Sequence, residues 1–212
     1  CVSYDTSRPY SLFVQHLRNT FGVGETDSAN TVSEKIRRGL DGDSAGESET
    51  IASAMETLIS PGQGSNNGAQ NGTAGAHLDG EAAKRLIFRA VLGVWRQINA
   101  PTVIVSDDLH WADPASAELL IHLFQLVERS PILFICLFRP ERQSPAWQIR
   151  QAAETDFPHR YTEVPLQALS DDDSDTLFGD LLNISNAPPG LRELINAKTQ
   201  GNPLFVEEFT RT

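Results

Sequence analysis

Val103-Ile104-Val105-Ser106-Asp107-Asp108-Leu109-His110-Trp111-Ala112-Asp113-Pro114 joins an unbroken β-branched run to two acids and then to a helix start. A run of that kind, without polar alternation, suits a strand buried on both faces, as in a parallel sheet. Asp113-Pro114 reads as the helix start. A carboxylate at the N-cap accepts free amides, and proline at the first helical position has no amide to leave unpaired. The predicted helix carries Leu119, Leu120, Leu123, Phe124 and Val127 and stops near Ser130-Pro131. Ile132-Leu133-Phe134-Ile135-Cys136-Leu137-Phe138 follows as a second apolar strand. Strand, helix and strand within about 37 residues make a βαβ unit, so the two strands are expected to be parallel. A third strand is expected around Tyr161 to Val164.

Upstream, Leu86, Ile87, Ala90, Val91, Val94 and Ile98 form one apolar stripe with Lys84, Arg85, Arg89 and Arg96 largely off it. That pattern predicts a core-facing helix of about 17 residues beginning near Glu81. Further helices are expected over 9–22, 31–40 and 48–60. Residues 61–80 are rich in Gly and Asn and poor in large apolar side chains. They are expected to be a flexible insertion, since burial there cannot offset the entropy of ordering. Downstream, Ser170 is expected to cap a helix whose first turn holds Asp171, Asp172 and Asp173, a favourable placement against the helix dipole. A second helix is expected from Pro189 to Thr199 and a third from Pro203, with Gln200-Gly201 between them. The expected organisation is an α/β core over 1–167 and the start of a small helical subdomain over 168–212.

The 212 residues, 40% of them hydrophobic, are enough to bury one α/β core. A formal net charge of −11 argues against direct nucleic-acid binding by this chain, which would need basic surface. The acidity is local: no Lys or Arg stands between Arg38 and Lys84, a span holding Asp41, Asp43, Glu47, Glu49, Glu56, Asp79 and Glu81. Cys1 and Cys136 do not make a disulfide framework, so a reduced, cytoplasmic setting is expected. No apolar run approaches the length of a membrane span. The chain opens in mid-pattern without Met and is expected to be part of a longer polypeptide. His16, His77, His122 and His159 show no metal-ligand spacing, and no nucleophile motif is present.

In open α/β sheets, ligands bind outside the carboxyl ends of the strands. Asp107 and Asp108 stand at that end of the first strand, and Arg139 at the same end of the second. Carboxylates there can hold Mg²⁺, directly or through water, and position an attacking water. An arginine there can contact a terminal phosphate. His110 and Trp111 read as packing or turn residues of the motif.

The string resembles the Walker B segment of the AAA-type ATPase module of large bacterial regulators. These are STAND-like ATPases fused to class III adenylate/guanylate cyclases, LuxR-type activators or protein kinases, usually followed by tetratricopeptide repeats. Three further segments resemble the same module in the same order. Leu137-Phe138-Arg139-Pro140-Glu141 is similar to its sensor-1 strand end. Val164-Pro165-Leu166-Gln167-Ala168-Leu169-Ser170 is similar to the approach to its helical lid, and Gly201-Asn202-Pro203-Leu204-Phe205 to the Gly-x-Pro motif of that lid. Cys1 to Leu12 is similar to the strand and helix just downstream of the phosphate-binding loop.

The resemblance implies a three-layer P-loop NTPase core with a parallel sheet and a helical lid, using ATP and Mg²⁺. It implies Asp107 as the acid that holds magnesium through water, Asp108 as the acid that activates water, and Arg139 as sensor 1. It implies Gly201 and Pro203 at the cofactor, Pro203 near the adenine. The implied partners are ATP, the output and repeat domains of the same polypeptide, and a second copy of the module. Two departures bear on activity. The family usually has Glu where Asp108 stands, which points to slow, switch-like turnover. No Gly-x-x-x-x-Gly-Lys-[Ser/Thr] occurs in the chain, so the amide cradle for the phosphates is expected before Cys1, and hydrolysis only when it is present. The rival readings are a non-catalytic scaffold for protein interaction that kept the fold, and a nucleic-acid-binding AAA protein of the origin-recognition type, which the acidic surface disfavours.

Overall fold

The computed structural model describes residues 9–40, 48–59, 80–182, 184 and 189–211. The chain divides into two compact units, Cys1–Tyr161 and Thr162–Thr212. The boundary expected between 167 and 168 lies a little beyond that division. Of the insertion expected at 61–80, residues 61–79 lie outside the described residues, and Gly80 already belongs to a helix. Of the strand and helix that Cys1 to Leu12 is expected to form, residues 1–8 also lie outside them.

In the first unit the chain forms α1 (Ser11–Phe21), α2 (Ala29–Leu40), α3 (Ser48–Ile59), α4 (Gly80–Arg96), β1 (Thr102–Ser106), α5 (Pro114–Leu123), β2 (Ile132–Cys136) and α6 (Pro145–Asp156). Helical spacing explains α1, which buries Phe13, Val14, Leu17 and Phe21 and closes on Gly22 at φ 64°. In α4 the buried face is Ala90, Val91, Leu92 and Trp95. Trp95 stands at the centre of the core, stacked on Phe134 of β2 at 6.1 Å and tilted against Phe13 of α1 at 5.8 Å.

The strands β1 and β2 pair in parallel, Thr102 with Ile132 through Ser106 with Cys136, as the βαβ pattern requires. Two sequence expectations fail here. The first is burial on both faces. Ile104 and Phe134 pack on the core, but Val103 is 57% exposed and Val105 61%, with Leu133 and Ile135 exposed beside them. A β-branched run states that two faces can be buried, yet among the described residues helices cover one. The second is the third strand: residues 161–164 form no strand, and Val164 is exposed. Proline at 158 and 165 brackets the segment and limits its ladder hydrogen bonding, and it stays irregular.

The second unit contains α7 (Asp171–Leu182), α8 (Pro189–Thr199) and α9 (Pro203–Arg211) around Phe178, Ile195 and Val206. Ser170 caps α7, its Oγ accepting the Asp173 amide at 3.1 Å. No helix among the described residues is long and apolar enough to cross a membrane.

Candidate functional site

Leu137, the first residue past β2, shapes the end of β1. Its amide donates to the Ser106 carbonyl at 2.8 Å and its carbonyl accepts the Leu109 amide at 3.0 Å. Ser106 and Leu109 are therefore held to the same neighbour, and the dipeptide between them, Asp107-Asp108, is forced outward. Two features sharpen that turn. The Asp108 amide donates to Asp107 Oδ1 at 2.8 Å, and Asp108 adopts a left-handed conformation at φ 54°, ψ 38°. Aspartate visits that region more readily than most residues, at a modest cost in strain. Both acids are exposed as a result. The imidazole of His110 approaches the Asp108 carboxylate, with Nε2 at 3.9 Å from Oδ1.

Arg139 stands exposed in the irregular segment after β2, at the same end of the sheet as the two acids. It forms no ion pair with Asp108 among the described residues. Gly201 and Pro203 belong to the second unit. Gly201 is buried at φ 71°, its carbonyl accepting the Leu169 amide at 2.8 Å, and a Cβ there would meet the Leu169 carbonyl oxygen at 2.3 Å. That approach explains the glycine by backbone packing alone. Pro203 is exposed at the first position of α9, where the Asn202 side chain accepts the Leu204 amide at 3.0 Å.

Asp113 and His110 turn out to do more than their sequence reading assigns. Asp113 caps α5 as expected, Oδ1 accepting the Ser116 amide at 2.9 Å. Buried at 3% exposure, it also accepts the Tyr10 amide on Oδ1 at 3.0 Å, and the Ser11 amide and hydroxyl on Oδ2, each at 3.1 Å. Nothing local in the sequence could signal those partners, which lie about a hundred residues away. His110 is buried as a packing residue would be, whereas Trp111 is 43% exposed.

The arrangement fits magnesium only in part. Among the described residues no group of three or more His, Cys, Asp or Glu side chains converges on one point, so a cation at Asp107 would complete its shell with water and a ligand's oxygens. A cavity of about 300 Å³ lined by Arg96, Gln125, Leu126, Arg129 and Ser130 lies at the opposite end of the sheet, before β2 begins, and is separate from the acid pair.

A family model described as the AAA ATPase domain matches residues 1–135, a span that includes β1, the acid pair and most of β2. An uncharacterized protein of Rhizobium meliloti (strain 1021) is 34% identical over 64 residues, which is 30% of this chain and 6% of that protein. The chain thus matches only a small part of that relative's length. No solved structure matches.

Proposed function

The chain belongs to the AAA ATPase domain family, and from that premise we propose that it is an Mg-ATP-dependent switch within a cytoplasmic signalling or transcription-regulating protein of several domains. The observation that carries this reading is the Asp107-Asp108 pair, placed at the carboxyl end of β1 and exposed there. Strand-end carboxylates in that setting suit nucleotide chemistry.

The proposed roles follow from position. Asp107 holds the water shell of magnesium, and Asp108 accepts a proton from the attacking water. Arg139 contacts the terminal phosphate, and Gly201-Asn202-Pro203 borders the adenine from a helical lid over 168–212. Magnesium, when bound with ATP, neutralises charge building on the phosphates. An aspartate at 108 reaches less far than a glutamate, which favours slow turnover and a long-lived ATP state. Lid position would then report whether ATP or product is bound, and output domains of the same polypeptide, or a second copy of the module, would read it.

The absence of a Gly-x-x-x-x-Gly-Lys-[Ser/Thr] string from these residues favours a second reading, a scaffold for protein interaction without turnover. Mg-ATP binding and hydrolysis measured on the natural polypeptide that contains this chain separates the two. Magnesium-dependent turnover supports the switch. Binding without turnover supports the scaffold, and neither activity overturns the nucleotide reading altogether.

A further inference from the structure

His110 is 8% exposed, and neither of its ring nitrogens has a hydrogen-bond partner. Buried polar groups are paired in the great majority of cases, because an unpaired one forfeits its bonds to water. A phenylalanine would occupy the same space without that loss, so packing alone does not explain an imidazole here. A carboxylate oxygen stands nearby: Asp108 Oδ1 is 3.9 Å from Nε2, beyond the roughly 3.2 Å limit of an N–H···O bond. Asp108, with its left-handed backbone, immediately precedes the 3-10 turn Leu109–Trp111, which packs against α6. An aspartate's terminal torsion is broad, so a modest rotation of the carboxylate closes the gap. Hydrogen bonds of a reacting site are commonly long before the ligand binds and tighten afterwards.

We infer that His110 is a positioning residue, whose Nε2–H holds one oxygen of the Asp108 carboxylate while the other faces the attacking water. The inference rests on the reading of Asp108 as the group that activates water. The pair divides the labour: the imidazole, fixed by its burial, supplies the orientation that a half-exposed carboxylate at a strained turn lacks, and Asp108 touches the reacting water.

Three variants of the natural polypeptide test it. His110→Phe fills the space without a donor, and is expected to lower kcat for ATP about 10- to 100-fold. It should leave KM within about three-fold and should not lower the thermal unfolding midpoint, since no buried nitrogen is left unpaired. His110→Gln keeps an N–H near the Nε2 position and is expected to recover much of the lost kcat. In an Asp108→Asn background, His110→Phe should lower turnover by less than about two-fold further, because the two residues act as one unit. A His110→Phe variant as fast as the parent overturns the inference, as does a Gln variant no better than Phe when both have lost stability. A parent without turnover, or an Asp108→Asn variant as fast as the parent, overturns the reading of Asp108 itself. The contact is then decided by the ¹⁵N resonances of the His110 imidazole in the nucleotide-free protein. Asp108→Asn is expected to shift them, and unmoved resonances would show that the pair does not exist.

Discussion

Asp113 Oδ1 accepts the backbone amide of Tyr10 at 3.0 Å, across a sequence separation of 103 residues. Tyr10 occupies the N-cap position of α1 in a left-handed conformation, φ 62°, and its own side chain makes no capping bond. The missing cap is supplied by Asp113, which at the same time caps α5 through the Ser116 amide. One buried carboxylate thus closes the N-termini of two helices, and the Ser116 hydroxyl extends the arrangement by accepting the Leu12 amide at 3.3 Å. Helix N-termini carry unpaired amides and partial positive charge, so a carboxylate between two of them is stabilised without a cationic side chain.

Replacing Asp113 by alanine should therefore cost more than the loss of an ordinary cap. With the amides of Tyr10, Ser11 and Ser116 left in a closed site, the expected destabilisation is about 3 kcal/mol or more. Asp113→Asn retains one carbonyl oxygen and should cost roughly half as much. Urea unfolding of the two variants checks both values, and an alanine variant within about 1 kcal/mol of the parent would show that water replaces the carboxylate.

The two acids at the end of β1 should separate in their effects on nucleotide chemistry. Asp107→Asn keeps the shape and removes the charge proposed to hold the magnesium water shell. It should weaken the magnesium dependence of ATP binding as well as turnover. Asp108→Asn removes the proposed proton acceptor and should leave ATP affinity within a few-fold while lowering turnover by about 10²–10⁴. Titration calorimetry with and without magnesium, together with steady-state hydrolysis, distinguishes the two patterns. If both variants hydrolyse ATP like the parent, the carboxylates are only a strand end.

Gly201→Ala is expected to destabilise the second unit by about 3 kcal/mol, combining a left-handed backbone with a close approach that backbone atoms cannot relieve. The added methyl would meet the Leu169 carbonyl oxygen at 2.3 Å and its nitrogen at 2.9 Å. Protease susceptibility of the 162–212 region reads the effect directly. A variant as resistant as the parent would mean that the Leu169 segment moves aside at little cost.

His122 should make folding weaker in mild acid. Burial holds its imidazole below the ordinary 6.5, and the Arg96 guanidinium adds to that. Gln125 lies 3.3 Å from the His122 Nε2, a contact in which the neutral ring can accept. As pH falls the unfolded chain takes up this proton first. The contribution is therefore fully present above pH 6.5 and is lost as pH drops below that value toward the folded-state pKa. Urea midpoints at about pH 7.5 and 5.5 should fall further apart for the parent than for His122→Gln. Equal differences in the two proteins would remove His122 as the cause.

The helices α1 to α5 and α7 to α9 and the strands β1 and β2 were legible along the chain because each is governed by a local period, whereas α6 was not anticipated. Apolar residues recur every three or four positions in α4, a β-branched run marks β1, and Asp113-Pro114 announces α5. The parallel pairing also followed, since a strand, a helix and a strand of those lengths leave few alternatives. The position of the acid pair at the carboxyl end of β1 was legible too, because the two carboxylates directly follow the β-branched run. What lies against these elements was not legible. Val103 and Ile104 are both β-branched, yet one is exposed and the other packs on the core. Residues 161–164 carry strand-like character but form no strand among the described residues. That Leu137 forces Asp107-Asp108 outward, that Asp113 serves a helix about a hundred residues upstream, and that His110 is buried with both nitrogens unpaired all depend on groups distant in sequence. Backbone geometry and side-chain type act over a turn or two of chain, so they set the elements. Hydrogen bonds and burial act between whichever groups packing brings together, so only the folded chain decides them.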